Sequence, residues 1–80
     1  METKEFIKRV EEWGLDLRVV EDEDCCFIKD VDGDVIAYVN KNVPLQICTD
    51  YNGWDDLCDE DKENLFKLFV AYSSTPTDER

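Results

Sequence analysis

The sequence predicts a small α+β fold, a two-layer sandwich in which two helices cover one face of a four-stranded antiparallel sheet. Three observations predict it. Apolar residues recur at helical spacing near both ends of the chain, they alternate with polar residues in the middle, and an Asp-Gly pair separates two short apolar runs. Because 80 residues build only one core, we expect a single domain, 1–80, with a C-terminal tail at 73–80.

The N-terminal segment, 3–13, is predicted to form an amphipathic helix. One stripe of this helix holds the apolar side chains Phe6, Ile7, Val10 and Trp13. Thr3 stands at the predicted N-cap, and Gly14 stands where a left-handed residue commonly ends a helix. We therefore expect the stripe, including Trp13, to face the sheet.

Four short strands are predicted to follow this helix, in an α-β-β-β-β-α order. Their ranges are 15–20, 25–29, 35–39 and 44–48. The Asp32-Gly33 pair predicts a hairpin with a two-residue type I′ turn between the second and third strands. Pro44 begins the fourth strand, which favours an edge position because proline lacks the backbone donor that a central strand needs.

The main C-terminal helix is predicted at roughly 60–73, after a short helical turn at 54–57. Asp59 stands at its predicted N-cap, and the acids of its first turn favour the positive end of the helix dipole. The broad apolar face of this helix consists of Leu65, Phe66, Leu68, Phe69 and Tyr72. Pro76 lies beyond its end and prevents its continuation.

The charge of the chain is its most informative feature for function. Asp and Glu number 21 against 9 Lys and Arg, with no His, so the net charge is −12. A small domain usually carries a net charge of magnitude about 2–8. The acids cluster, since 21–34 and 50–63 each hold seven acids and one basic residue. Such charge favours a basic protein partner and disfavours nucleic acid or an anionic membrane as a direct ligand.

We expect the partner-binding surface to combine acids of both clusters with two aromatic side chains. These residues are Glu21, Asp22, Glu23, Asp24, Asp50, Tyr51, Trp54, Asp55, Asp56, Asp59 and Glu60. Dense acids of this kind imitate duplex DNA, which carries one negative charge per about 1.7 Å. Two alternatives stay open. In the first, the acids serve only solubility. In the second, Tyr51 and Trp54 pack in the core and do not anchor a partner.

No catalytic, cofactor-binding or metal-binding residue is predicted. The Asp30-x-Asp32-x-Asp34 triplet resembles the start of a calcium loop, but Val35 and Lys41 stand where an EF-hand loop requires Gly and Glu. A hairpin turn explains the triplet instead. Paired carboxylates such as Asp55-Asp56 lie among other acids, whereas general acid–base catalysis needs a carboxyl in a dry cleft.

The four cysteines are Cys25, Cys26, Cys48 and Cys58. No pair has CxxC spacing and no His accompanies them, which disfavours a zinc site. The N-terminus lacks the layout of a signal peptide, and no apolar run approaches the ~18 residues of a membrane span. We therefore expect reduced thiols at core or edge positions in a reducing cytoplasm.

The C-terminal segment 68–80, Leu-Phe-Val-Ala-Tyr-Ser-Ser-Thr-Pro-Thr-Asp-Glu-Arg, is distinctive. It resembles the EYASTPIEER-type ending of small proteins encoded by phages and prophages of low-GC Gram-positive bacteria. The segments 3–7, 32–34 and 49–52 look like the same family. Ser73 and Thr77 replace the Ala and Ile of such endings. The resemblance implies an accessory protein in an infected bacterial cytoplasm, and it implies no catalytic residues.

Two function hypotheses follow. The first is a non-enzymatic phage or prophage accessory protein whose acidic surface binds a basic host or phage protein, including one that itself binds nucleic acid, as a DNA mimic or inhibitor. The second is an assembly or oligomerisation module, a monomer or weak homodimer, that uses the uncovered sheet face and whose acids serve solubility. That face exposes either Cys26 and Ile28 or their alternates Cys25 and Phe27. An enzyme ranks third, and it requires a deep pocket that holds a carboxyl beside Cys or Tyr.

Overall fold

The computed structural model describes all 80 residues and shows an α+β fold with a four-stranded sheet. The strands are β1 (Arg18–Glu21), β2 (Cys25–Lys29), β3 (Val35–Asn40) and β4 (Ile47–Cys48), and the helices are α1 (Thr3–Glu11), α2 (Asn52–Asp55) and α3 (Asp59–Ser73). The strands pair in chain order and every pair is antiparallel. The predicted fold class is therefore confirmed.

Alternation along β2 decides which face of the sheet the helices cover. Cys26 and Ile28 are fully buried, whereas their neighbours Cys25 and Phe27 remain partly exposed. The buried cross-strand partners of the first pair are Val39 and Ala37. The inner face therefore contains Cys26 and Ile28, and the sheet presents Cys25 and Phe27 on its outer face, which no helix covers.

Aromatic side chains join the helices above the inner face. Phe6 of α1 stacks on Tyr72 of α3, with ring centroids 4.3 Å apart and 10° between the ring planes. Phe69 meets the edge of Phe6 at 6.0 Å, and Trp54 of α2 lies 5.6 Å from Phe69. Each such pair adds about 0.5–1.5 kcal/mol beyond its area burial. These rings fix all three helices to one core.

α1 ends earlier than the sequence predicts. Thr3 is its first helical residue and not its N-cap, and the Thr3 and Tyr72 hydroxyls share a hydrogen bond of 2.7 Å. Since the helix stops at Glu11, Trp13 no longer follows helical spacing and is 37% exposed, so its predicted burial is wrong. Gly14 has a φ of +94° and is left-handed as predicted.

Both edge strands are shorter than predicted. β1 begins only at Arg18, because Asp16 has a φ of +55° that interrupts the extended run. Pro44 does not belong to β4, and it lies in the turn that precedes the strand. Leu45 in that turn also has a left-handed φ, +57°, which delays the start of β4.

The β2–β3 hairpin is present, but its predicted type I′ turn is wrong. A type I′ turn needs two consecutive residues with positive φ, and only Gly33 has one, at +87°. The Gly33 amide donates to the Asp30 carbonyl at 3.0 Å, and Oδ1 of Asp30 accepts the amides of Asp32 and Asp34, each at 3.0 Å. The Asp30 side chain thus closes a longer loop.

α3 begins one residue before its predicted start. Its N-cap is Cys58, so Asp59 is the first helical residue and not the cap. Phe66 is 43% exposed and lies outside the buried face, which corrects its place in the predicted apolar face. The short helical turn predicted at 54–57 is α2, which starts at Asn52.

The tail ends in a short 3-10 turn, Thr77–Glu79, and Arg80 ties it to the rest of the fold. The Arg80 guanidinium lies 5.2 Å from the centre of the Tyr72 ring. It donates hydrogen bonds to the backbone carbonyls of Asn40, Lys41, Ser73 and Thr75. One side chain therefore links the end of α3 to the β3–β4 loop.

We expect Arg80→Ala to lower the free energy of unfolding by about 1–3 kcal/mol, because it leaves partly buried carbonyls without their charged donor. Arg80→Lys is expected to restore little, since an ammonium group lacks the planar fork that reaches several carbonyls. Urea denaturation measures both changes. The control is Arg9→Ala, which breaks only an exposed ion pair with Glu5. Equal effects of Arg80→Ala and Arg9→Ala would contradict the role of Arg80.

Gly53 offers a second stability test. A Cβ atom added at Gly53 lies 2.6 Å from Cγ2 of the buried Ile36, closer than real contacts allow. Gly53→Ala is therefore expected to push α2 away from β3 and to cost about 1–3 kcal/mol of unfolding free energy. Asn52→Ala, at the exposed neighbouring position, is the matched control for urea denaturation. If Gly53→Ala leaves the urea midpoint unchanged, α2 shifts away from β3 without a cost in stability, which would contradict this prediction.

Candidate protein-binding surface

The acids of the first cluster, 21–34, do not stay together in the fold. Glu21 ends β1 and Asp22 to Asp24 form the β1–β2 loop, whereas Asp30 to Asp34 form the β2–β3 loop. These two loops lie at opposite ends of β2, which spans roughly 16 Å for its five residues. The sequence cluster is therefore two separate acidic groups.

The β1–β2 loop is held by its own acids. Oδ1 of Asp22 accepts the amides of Cys25 at 2.7 Å and Asp24 at 2.8 Å. The hydrogen bond from Cys25 is the larger cause and the one from Asp24 the second, and together they hold the pKa of Asp22 below its ordinary value. Lys41 lies 3.5 Å from Glu21 and also donates to the Asp22 carbonyl. All four acids of this group are exposed, and Glu21 and Asp22 also support the loop locally.

The β2–β3 loop meets the segment that follows β4, and together they form an acidic cleft of about 480 Å³. We define the acidic cleft by its lining residues, Asp30, Asp32, Asp34, Val35, Tyr51, Asn52, Gly53 and Asp56. Carboxylates from both sequence clusters thus converge here. They do not form a metal site, since no three Cys, Asp or Glu side chains of the structure are grouped to hold a metal ion.

The cleft differs from the predicted partner-binding set in two ways. It contains acids that the set omits, and it lacks several acids that the set includes. Asp30, Asp32 and Asp34 line it, although only the hairpin topology brings them to Tyr51 and Asp56. Eight exposed acids of the predicted set do not line it: Glu21, Asp22, Glu23, Asp24, Asp50, Asp55, Asp59 and Glu60. Two features could have predicted this grouping: the hairpin at Asp32-Gly33, and the return of the chain along β4.

Tyr51 and Trp54 separate on the two sides of α2. Trp54 is 8% exposed and packs on Phe69, so the core alternative is the one that the structure supports and Trp54 is not an exposed anchor. Tyr51 is half-buried at the rim of the cleft. Partial burial raises the pKa of Tyr51, and the nearby ionisable groups of Cys48 and Tyr38 add to that shift. Tyr51 therefore adjoins the outer face of the sheet.

All four cysteines are free thiols, at three levels of burial. Cys26 is fully buried, and this burial, assisted by the charge of Glu21, raises its pKa to about 11. Partial burial and the charges of Asp22 and Asp24 also raise the pKa of Cys25. Near neutral pH both thiols are protonated, which is the unreactive form. Cys58 is exposed and donates to Oδ2 of Asp61 at 3.2 Å.

No family model, curated protein or solved structure matches the chain. The resemblance of the C-terminal segment to phage and prophage proteins thus stays a hypothesis that depends on the residues alone. None of the helices is long and apolar enough to cross a membrane.

The burial of the thiols predicts an order of alkylation. At pH 8 we expect iodoacetamide to modify Cys58 first, Cys25 and Cys48 more slowly, and Cys26 only after unfolding, because its pKa of about 11 and its burial both suppress attack. Peptide mass spectrometry over a time course, with and without urea, measures the order. Modification of Cys26 in the native protein at the rate of Cys58 would contradict the packing of the inner face.

Proposed function

We propose that the protein is a non-enzymatic accessory protein of a phage or prophage that binds a basic protein partner in the bacterial cytoplasm. The observation that carries the proposal is the acidic cleft, in which Asp30, Asp32, Asp34 and Asp56 surround one concave site. Arg and Lys side chains of a partner fit such a cleft, and Arg pairs with carboxylates through two parallel hydrogen bonds. The long-range field of the remaining acids increases the rate of encounter.

The shape of the molecule supports a partner whose own ligand is nucleic acid. The longest dimension of the protein is 33 Å, and its 21 acidic and 9 basic side chains give the chain a net charge of −12. Duplex DNA of that length carries about 19 negative charges, at one per ~1.7 Å. A compact acidic body with roughly two thirds of the charge of DNA over the same length has the sign and the size to compete with DNA for a basic channel. We therefore propose that the protein acts as a DNA mimic or inhibitor.

A second candidate function is an assembly module, favoured by the uncovered outer face of the sheet. Phe27 and Tyr38 lie side by side on that face, with ring centroids 5.8 Å apart. Both side chains are partly exposed, and aromatic side chains on an uncovered face are enriched in protein interfaces. On this view the acids serve solubility, and binding depends on the outer face. The two candidates differ in the residues that they require.

Two variants of equal charge test the cleft. Asp32→Asn/Asp34→Asn/Asp56→Asn removes three negative charges from the cleft, and Glu12→Gln/Asp78→Asn/Glu79→Gln removes three from exposed positions outside it. Each immobilised variant captures proteins from a bacterial lysate, and a salt gradient elutes them. We expect the captured protein to leave the cleft variant at lower salt than the control variant, because only the cleft variant loses convergent carboxylates.

The same experiment separates mimicry from general acidity. Duplex DNA added to the wild-type column is expected to displace the captured protein, since both ligands occupy one basic site. Equal elution from the two variants would show that net charge, and not the cleft, holds the partner. If duplex DNA does not displace the captured protein, the mimic hypothesis is contradicted.

A further inference from the structure

Asn52 and Gly53 form the only Asn-Gly pair of the chain, and both line the acidic cleft at the start of α2. Asn is a chemically labile residue, and it loses ammonia most readily when Gly follows it. A glycine has no Cβ, so its amide nitrogen can approach the side-chain carbon of the preceding Asn. Asn52 is exposed, so water also reaches its side chain. The pair therefore has the composition and the exposure that deamidation requires.

The amide of Gly53 is free to react, unlike the amides that follow the other three Asn residues. It lies in the first turn of α2, where N–H groups have no partner within the helix, and it donates no hydrogen bond elsewhere. The amide after Asn40 donates to the Asp24 carbonyl at 2.7 Å, and the amide after Asn42 donates to Oδ1 of Asn40 at 2.9 Å. Asn64 lies inside α3, where the next amide belongs to the helical hydrogen bonds.

The Asp32-Gly33 pair has the same spacing but lacks both advantages. Its Gly33 amide donates to the Asp30 carbonyl at 3.0 Å, so the nitrogen is already engaged. The side-chain carbon of Asp32 belongs to a carboxylate, which is a poorer electrophile than a neutral amide. Asn52-Gly53 is therefore the pair that combines a neutral electrophile with a free nitrogen.

The change of conformation that the reaction needs involves one short turn. The Gly53 nitrogen must turn toward Cγ of Asn52, so Asn52 has to leave its helical ψ. α2 has only four residues, and the Asn52 carbonyl accepts one backbone hydrogen bond, from the Asp56 amide at 3.1 Å. A single turn of this length has little stability of its own. The carboxylates of the cleft oppose loss of the amide proton and slow the reaction, but they do not engage the nitrogen.

We propose that Asn52 is a site of spontaneous deamidation, which adds a further carboxylate to the acidic cleft. The Gly53 nitrogen bonds to Cγ of Asn52, the bond between Cγ and Nδ2 breaks, and ammonia leaves with the proton of the Gly53 amide. Water then opens the resulting cyclic imide. Cleavage at Cγ leaves aspartate at position 52, and cleavage at the main-chain carbonyl leaves isoaspartate. Neither step oxidises or reduces any atom.

Both products change the cleft, and they differ in what they do to α2. Each adds one negative charge to the carboxylates of Asp30, Asp32, Asp34 and Asp56. Isoaspartate also lengthens the main chain by one carbon just before Gly53, whose backbone packs so closely on Ile36 that an added Cβ would lie 2.6 Å from Cγ2. Isoaspartate therefore displaces α2, whereas aspartate leaves it in place. The modification does not depend on the proposed function, and only its effect on a basic partner does.

The test incubates the folded wild-type protein and the Asn52→Gln variant for several weeks at neutral pH and 37 °C. Asn52→Gln keeps an amide at the site but forms a larger imide ring much more slowly. Anion exchange separates the acidic products, and the Asn52→Asp variant marks where the aspartate product elutes. Peptide mass spectrometry then locates each replacement of NH₂ by OH. We expect conversion at Asn52 to be at least ten-fold faster than at Asn40, Asn42 or Asn64, and we expect no such product from Asn52→Gln.

Incubation of the unfolded chain in guanidinium chloride separates the effect of the fold from that of the sequence. Asn52 of the unfolded chain is expected to deamidate, because no structure engages the Gly53 amide there. If Asn52 of the folded protein converts no faster than Asn64 inside α3, while the unfolded chain converts at Asn52, the fold protects the pair. That result would overturn the inference and leave the proposed function unaffected. An acidic product from Asn52→Gln that matches the wild-type product would place the modification elsewhere and would also overturn it.

Discussion

The stacking of Phe6 on Tyr72 is the interaction on which the rest of the structure depends. It joins the first helix to the last across the whole chain, with ring centroids 4.3 Å apart, above the buried Cys26. An 80-residue chain builds only one core, so two helices committed to the inner face leave none for the outer face. The uncovered outer face of the sheet is therefore a consequence of how the small core is made. Arg80 strengthens the same point, since its guanidinium lies over Tyr72.

Local patterns in the sequence predict most of the fold and fail where long-range contacts decide. The β2 strand, the hairpin at Asp-Gly and the α3 helix follow from periodicity and turn chemistry. Periodicity and turn chemistry do not predict the end of α1 before Trp13 or the left-handed φ of Leu45, because no local pattern marks either. Nor does alternation reveal which face of β2 is inward. Cys26 and Cys25 are chemically alike, and only the placement of the helices distinguishes them.

The candidate site shows the same limit more sharply. A run of acids along the chain suggests one surface, but a hairpin carries the two halves of 21–34 to opposite ends of β2. It also brings Asp30, Asp32 and Asp34 to Asp56, which is distant in sequence. Trp54 was expected beside Tyr51, yet α2 turns the two rings to different sides. Charge density is thus readable from composition, whereas charge convergence needs the topology.

The arrangement of the acids bears on whether their role is solubility alone. Several have local tasks: Asp22 and Asp30 accept backbone amides in loops, Glu11 accepts an amide of β1, and these positions need no partner. The carboxylates of Asp32, Asp34 and Asp56 accept no backbone amide, yet all three line one cleft. Solubility alone does not require three carboxylates without a local structural task to line the same cleft. This grouping is the reason for which we propose the cleft as the binding surface for a basic partner.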